Sequence, residues 1–149
     1  MTLLDELIDA YLDSDIDHRC AVDMVQGIIV LDWDEAVTGE PGIDWEDPES
    51  EERYCAIPQC RNDEAYECRQ RFAAQDSSGR VSDALNHSRP FRHFKDALSE
   101  LALWDDWNAF ERAWAQSELE PWMQTLPVPY SVLADRYREY WKAQGRVGF

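Results

Sequence analysis

This sequence predicts an α+β fold: an N-terminal helix, a small three-stranded antiparallel sheet and a helical C-terminal half. Three observations lead there. Leu3, Leu4, Leu7, Ile8 and Tyr11 recur at helical spacing and give one apolar face. Ile28-Ile29-Val30-Leu31 is a β-branched run preceded by the turn signal Gln26-Gly27. Beyond residue 59 helical periodicity recurs segment after segment to the end. The chain has 149 residues, which suits a single domain with a sizeable core, and its seven Trp, six Tyr and five Phe can fill that core. Residues 1–58 hold the first helix and the sheet, and residues 59–149 form the helical part.

The first helix starts at Thr2, whose side chain can cap it with Asp5 three residues on as reciprocal partner. Asp5, Glu6, Asp9 and Asp13 form its wet face. Asp13-Ser14-Asp15-Ile16-Asp17 begins like a calcium loop. Its sixth position is His18 instead of glycine and its twelfth is Met24 instead of glutamate, so a solvated turn is expected. Residues 19–25 and 28–33 read as a hairpin. Residues 34–52 carry Gly39, Pro41, Gly42 and Pro48 among many acids, and read as an exposed loop. A third strand over Arg53-Tyr54-Cys55-Ala56-Ile57 stops at Pro58.

Asn62 is the expected cap of a helix with Asp63 and Glu64 in its first turn and Ala65, Cys68 and Phe72 facing inward. Ser77-Ser78-Gly79 ends it, and a short helix carries Val81, Ala84 and Leu85. Ser88 then reads as an N-cap and Pro90 as a first-turn residue. Phe91, Phe94, Leu98 and Leu101 make a stripe flanked by Arg92, Lys95 and Ser99. After Trp104, Asp105 or Asp106 can cap a helix bearing Trp107, Phe110 and Trp114. Residues 88–119 thus form an αα-hairpin whose aromatics face each other as core, and this hairpin is the expected cover for the sheet. Pro121 either kinks this helix or opens a new one with Trp122, Met123 and Leu126. A last helix, about residues 131–144, presents Leu133, Tyr137 and Trp141 and stops at Gly145.

Charge is strongly uneven. The formal net charge is -17, and residues 1–53 hold seventeen acids against two bases. Residues 128–149 reverse the sign, with two acids and four bases. An acidic half repels nucleic-acid backbones and anionic membranes, and speeds encounter with a basic partner. No apolar run approaches a membrane span, and the acidic, amphipathic start has no leader pattern, so a cytoplasmic location is expected. Cys20, Cys55, Cys60 and Cys68 contain no CxxC pair, and small apolar fillers in a reducing compartment are the expected reading.

No P-loop, dinucleotide fingerprint, GxSxG or HExxH occurs. His18, His87 and His93 are not spaced as ligands on one helix turn, and a solvent-facing His87–His93 pair is expected. No catalytic residue, metal site or cofactor is read from the sequence. The binding candidates are Arg89, Arg92 and Lys95, which interrupt an acidic chain near a helix start. Their alternatives are a solvated flank or an anion or partner patch.

In order and texture the chain resembles a bacterial family known as uncharacterised protein family 0158. The resemblance rests on Leu4-Asp5-Glu6-Leu7-Ile8-Asp9-Ala10, on a hairpin with Asp23 and Gly27 near its turn, and on Arg53-Tyr54 with Ile57-Pro58. Its most specific part is Phe91-Arg92-His93-Phe94-Lys95-Asp96 followed by Trp107, Phe110 and Trp122. It spans residues 3–123, with an insert-like acidic loop, and residues 127–149 are additional. Gln26-Gly27 stands where that family usually has Thr-Gly, and His87-Ser88-Arg89-Pro90 replaces a glycine-bearing lead. The resemblance implies a compact bacterial domain with a small sheet and C-terminal helices, and it carries no activity over.

The function expected from these readings is a non-enzymatic acidic interaction or regulatory protein that binds a basic protein partner. One alternative is a nucleic-acid-binding module using Arg89, Arg92, Lys95 and the C-terminal basic helix, a use the overall acidity disfavours. A second is an enzyme with a pocket beside the helical hairpin, near Arg92 and Asp96.

Overall fold

The computed structural model of the chain describes residues 1–13 and 18–146. In order the elements are α1 (Leu3–Leu12), β1 (His18–Asp23), β2 (Ile28–Trp33), α2 (Glu35–Thr38), α3 (Pro48–Arg53), β3 (Tyr54–Ala56), α4 (Asn62–Ala73), α5 (Arg80–Leu85), α6 (Pro90–Glu100), α7 (Trp104–Met123) and α8 (Tyr130–Ala143). The α+β class is as expected: an N-terminal helix, a three-stranded antiparallel sheet and a helical C-terminal half. Most of the Asp13–Asp17 turn lies outside the described residues. Among the described residues no helix is long and apolar enough to cross a membrane. The chain forms two compact units, Met1–Gln59 with Glu118–Phe149, and Cys60–Ser117.

In the first unit, Thr2 and Asp5 close the expected capping box on α1. Each side chain accepts from the other's backbone N–H, at 3.1 Å for Asp5 N and 2.9 Å for Thr2 N. The strand order is β2-β1-β3, all antiparallel. Val22 pairs with Ile29 on one side and Cys55 on the other, so β1 is central. Its Cys20, Ala21, Val22 and Asp23 are all buried. The hairpin's first arm ends at Asp23, two residues before the expected Val25, because the chain turns there: Gly27 N–H donates to the Asp23 carbonyl at 2.7 Å.

Most of the expected 88–119 hairpin, as far as Ser117, belongs to the second unit. Within the first unit α1 and α8 pack on β2, burying Leu3, Leu7, Ile8, Leu133 and Tyr137. Two amphipathic stripes from opposite ends of the chain meet there, a long-range pairing that no local pattern encodes. Glu6 leaves the wet face of α1 for the neighbourhood of Tyr137, whose phenol is held above its ordinary pKa chiefly by burial and then by this carboxylate. The turn of the hairpin also rests on α8, with Arg136 Nη1 donating to the Met24 carbonyl at 2.6 Å. Gly27 has φ +69, and a Cβ there would sit 2.6 Å from the Leu133 carbonyl oxygen and 2.8 Å from Tyr137 N. Both atoms are helix backbone and cannot step aside.

The second unit is built around aromatic rings. Phe72 of α4 meets Phe94, Trp107 and Phe110 edge-on, with centroids 6.2, 5.4 and 5.4 Å away. Phe94 and Trp107 are 4.9 Å apart across the α6–α7 hairpin. These two are buried, as expected of core, whereas Phe91 and Phe110 are only half-buried and line surface depressions.

Helix starts depart from the sequence reading in three places. Arg61, not Asn62, is the N-cap of α4, with the Glu64 carboxylate accepting from its N–H at 3.1 Å. Arg89, not Ser88, precedes α6 and offers no side-chain cap; Pro90 at the first position needs no N–H acceptor. Trp104 begins α7 itself, so Asp105 and Asp106 sit in the first turn, where they suit the positive end of the helix. Pro121 is accommodated inside α7, which runs on to Met123.

The link between α6 and α7 is a Schellman turn. Leu103 N–H donates to Leu98 O at 2.9 Å and Ala102 N–H to Ser99 O at 3.5 Å, with Ala102 in the left-handed region at φ 54. Alanine there costs what glycine would not.

Two glycine substitutions therefore act in opposite senses. Gly27→Ala should lower stability by about 2–3 kcal/mol, because overpacking against helix backbone adds to a left-handed φ. Ala102→Gly should raise it by about 0.5–1 kcal/mol. Urea unfolding of the two variants beside the parent chain measures both.

Candidate functional site

Two surfaces stand out once the elements are placed, one in each unit. The first is the acidic stretch 34–52, which holds nine carboxylates and no basic residue. It is more ordered than the expected loop, since it contains α2 and α3. The reason is local: Asp34 accepts from Ala36 N at 2.8 Å and Asp47 from Glu49 N at 3.0 Å, so each caps a short helix, and Pro48 fits the first position of α3.

Between those helices the stretch is tied to β2 through Asp32. One carboxylate oxygen accepts from Ile43 N–H at 2.8 Å and the other from Trp45 Nε1 at 2.9 Å. The chain passes so close that a Cβ on Gly42 would lie 2.2 Å from Asp32 Oδ1. Arg19 stands over the Trp45 ring at 5.4 Å and 3.9 Å from Asp32, covering the anchor.

The glutamates of this stretch are a separate matter. Glu35, Glu40, Glu46, Glu49, Glu51 and Glu52 are all exposed. Among the described residues none of the six has a side-chain hydrogen bond or an ion pair. The aspartates build the stretch and the glutamates are left facing solvent.

The second surface contains two of the three sequence candidates. Arg89 and Arg92 flank an open depression of about 560 Å³, floored by Tyr66, Pro90 and Phe91, with Asn62 and Asp63 on the far rim. Tyr66 and Phe91 stack at 6.4 Å between centroids. Lys95 is exposed and does not line this depression; its charge acts on Glu111 of α7. Glu111 is held above the usual carboxylate range by burial, an effect that Arg69, Arg112 and Lys95 oppose.

Arg69, which the sequence reading passed over, sits under the depression. Its guanidinium lies 4.1 Å from the Phe91 centroid, 5.2 Å from that of Trp107 and 5.5 Å from that of Phe94, and donates to Ala65 O at 3.0 Å. Burial lowers its pKa. The available signal was its spacing, four residues after the inward-facing Ala65. Neighbouring Cys68 is pushed up to about 12, mainly by burial and then by Glu111, so it is a protonated core filler.

His87 and His93 do come together, with ring centroids 4.4 Å apart. They line a cavity of about 310 Å³ with Arg80, Asp83, Asp96 and Glu100, and an Arg80–Glu100 ion pair of 2.8 Å closes one end. A concave polar site thus exists beside Asp96, while Arg92 belongs to the other depression.

The C-terminal basics are largely engaged. Arg136 serves the hairpin turn, Arg138 pairs with Asp135, and Arg146 lies over the Trp141 ring at 4.3 Å. Comparisons with protein-family models, curated proteins and solved structures return no match.

Asp32→Ala should free the middle of the acidic stretch, because Ile43 N–H and Trp45 Nε1 lose their acceptor, at a cost of about 1–3 kcal/mol. Hydrogen exchange should show Ile43 losing protection while the Leu98 amide keeps it.

Proposed function

We propose that the protein is a non-enzymatic interaction protein that binds a basic protein partner through its acidic stretch. The observation that carries this reading is the division of labour among the nine acids of residues 34–52. The aspartates accept from backbone N–H groups in caps and a turn, whereas six exposed glutamates have no basic partner among the described residues. Concentrating like charge in one place destabilises the compact state through self-repulsion. An ordered anchor at Asp32 then presents that charge on a defined surface. A cationic surface meeting it would gain complementarity and a fast on-rate.

A second reading has its own observation. Stacked Tyr66 and Phe91 between Arg89 and Arg92 form a small aromatic platform with cationic edges, an arrangement that suits a base and its flanking phosphates. It supports single-stranded nucleic acid as the alternative ligand, against the repulsion from the chain's net charge of -17.

One salt series separates the two. Immobilised protein should capture a small set of basic proteins at ~0.05 M salt and release them at ~0.5 M, where the Debye length has shortened about threefold. Replacing Glu49, Glu51 and Glu52 by Gln should weaken capture at low salt by roughly tenfold or more. Capture that ignores both salt and these replacements overturns the reading. Retardation of single-stranded RNA or DNA at low salt, abolished by Arg92→Ala, would favour the platform instead.

A further inference from the structure

The end of α1 and the start of β1 bring a carboxylate, an imidazole and a thiol to one point. Asp13 is the C-cap of α1, and His18 and Cys20 lie two residues apart on β1, hence on one face of the strand. One ligand atom from each lies within 4.8 Å of the other two. Asp13 Oδ2 is 2.9 Å from His18 Nε2. His18 is 7% and Cys20 3% exposed, while the Asp13 side chain stands at the mouth at 36%. The Trp33 ring lies against the imidazole, with centroids 4.5 Å apart, and fixes its orientation.

We propose that Asp13, His18 and Cys20 form a binding site for a borderline-soft divalent cation of the zinc type. The donor set is the argument. Imidazole nitrogen, thiolate sulfur and carboxylate oxygen are the three side-chain donors that Zn²⁺ takes, at about 2.0–2.3 Å. Hard cations such as Mg²⁺ or Ca²⁺ prefer oxygen throughout and are excluded by the sulfur. Ligand atoms bound at those lengths around one tetrahedral ion stand roughly 3–4 Å apart. The 4.8 Å grouping therefore needs only small side-chain movements.

Binding replaces the Asp13–His18 hydrogen bond. Nε2 gives up to solvent the proton it donates to Asp13 and turns the freed lone pair to the ion, the neutral ring then carrying its proton on Nδ1, while Sγ–H releases its proton to solvent as the metal–sulfur bond forms. Burial and the Asp13 charge raise the Cys20 thiol's pKa, so without a cation this thiol stays protonated and unreactive. Three protein donors leave the fourth corner for water. The ion would also clip the end of α1 to the central strand. The sequence reading missed the site because it sought paired cysteines, and the three donor types here come from two elements.

Cobalt and zinc titrations of the full chain test this. One equivalent of Co²⁺ should give a near-ultraviolet thiolate-to-cobalt charge-transfer band, displaced by Zn²⁺. The band should vanish in Cys20→Ser and persist in Cys60→Ser and Cys68→Ser. Asp13→Asn keeps a hydrogen-bonding partner for His18 and lies at the surface, so it decides the matter if Cys20→Ser does not fold. It should weaken Zn²⁺, measured against a chromophoric chelator, by about tenfold or more. No band in the parent chain, a band that survives Cys20→Ser, or unchanged Zn²⁺ affinity in Asp13→Asn overturns the proposal.

Discussion

The first unit depends on one buried carboxylate. Asp23 ends the central strand at 2% exposure and accepts four hydrogen bonds. Two come from the turn, Val25 N at 3.0 Å and Gln26 N at 3.2 Å. Two come from Arg53, Nε at 3.2 Å and Nη2 at 2.7 Å. The geometry is the bidentate fork that guanidinium makes with carboxylate. Arg53 closes α3 and its carbonyl accepts from Met24 N at 2.8 Å, so the ion pair joins the β1–β2 turn to the entrance of β3. A buried carboxylate needs such bonds to offset its desolvation, and here Oδ1 accepts three and Oδ2 one while Arg53 stays partly in solvent. The turn so fixed is what lets Gly27 rest on α8 and Arg136 reach Met24 O. Three strands from the first 56 residues and a helix from the last 20 are thereby held to one turn.

The sequence disclosed those parts of the fold whose causes are local. Thr2 with Asp5, the β-branched run from Ile28, and the stripe through Phe94 and Leu98 each act within a few residues, and each forms as read. Where causes compete or lie far apart, reading failed. Asp47-Pro48 carries a helix-start signal as good as any in the chain, yet the surrounding acids and turn formers made the stretch look like loop. Ser88 is the better capping residue by type, but the chain entered α6 through Arg89 and Pro90. The packing of α1 and α8 on the sheet went unread because it depends on Leu3, Leu7, Leu133 and Tyr137 meeting from opposite ends.

The candidate surfaces were legible to a lesser degree. Composition pointed to Arg89, Arg92 and Lys95, and the structure gives the first two a shared depression and the third a different neighbourhood. Arg69 was invisible because a half-buried arginine has the same letter as a solvated one. Its setting under Phe91, Phe94 and Trp107 comes from two other helices, α6 and α7, closing over it. Clusters such as Asp13 with His18 and Cys20 escape for the same reason: their spacing in the chain carries no signature of their spacing in space.

Counting charges along the chain also misjudges which of them are available. Residues 128–149 carry four bases against two acids and look like a spare cationic end. Three of those four are already committed, to a turn carbonyl, an aspartate and an indole ring. Their charge still contributes to the field, but their donors have partners. The acidic stretch is the reverse case, since its aspartates satisfy backbone N–H groups while its glutamates remain exposed. An incoming partner would therefore find acceptors more readily than donors on the first unit. The excess of available acceptors thus comes from which charges the fold has already used, a distinction that net charge cannot make.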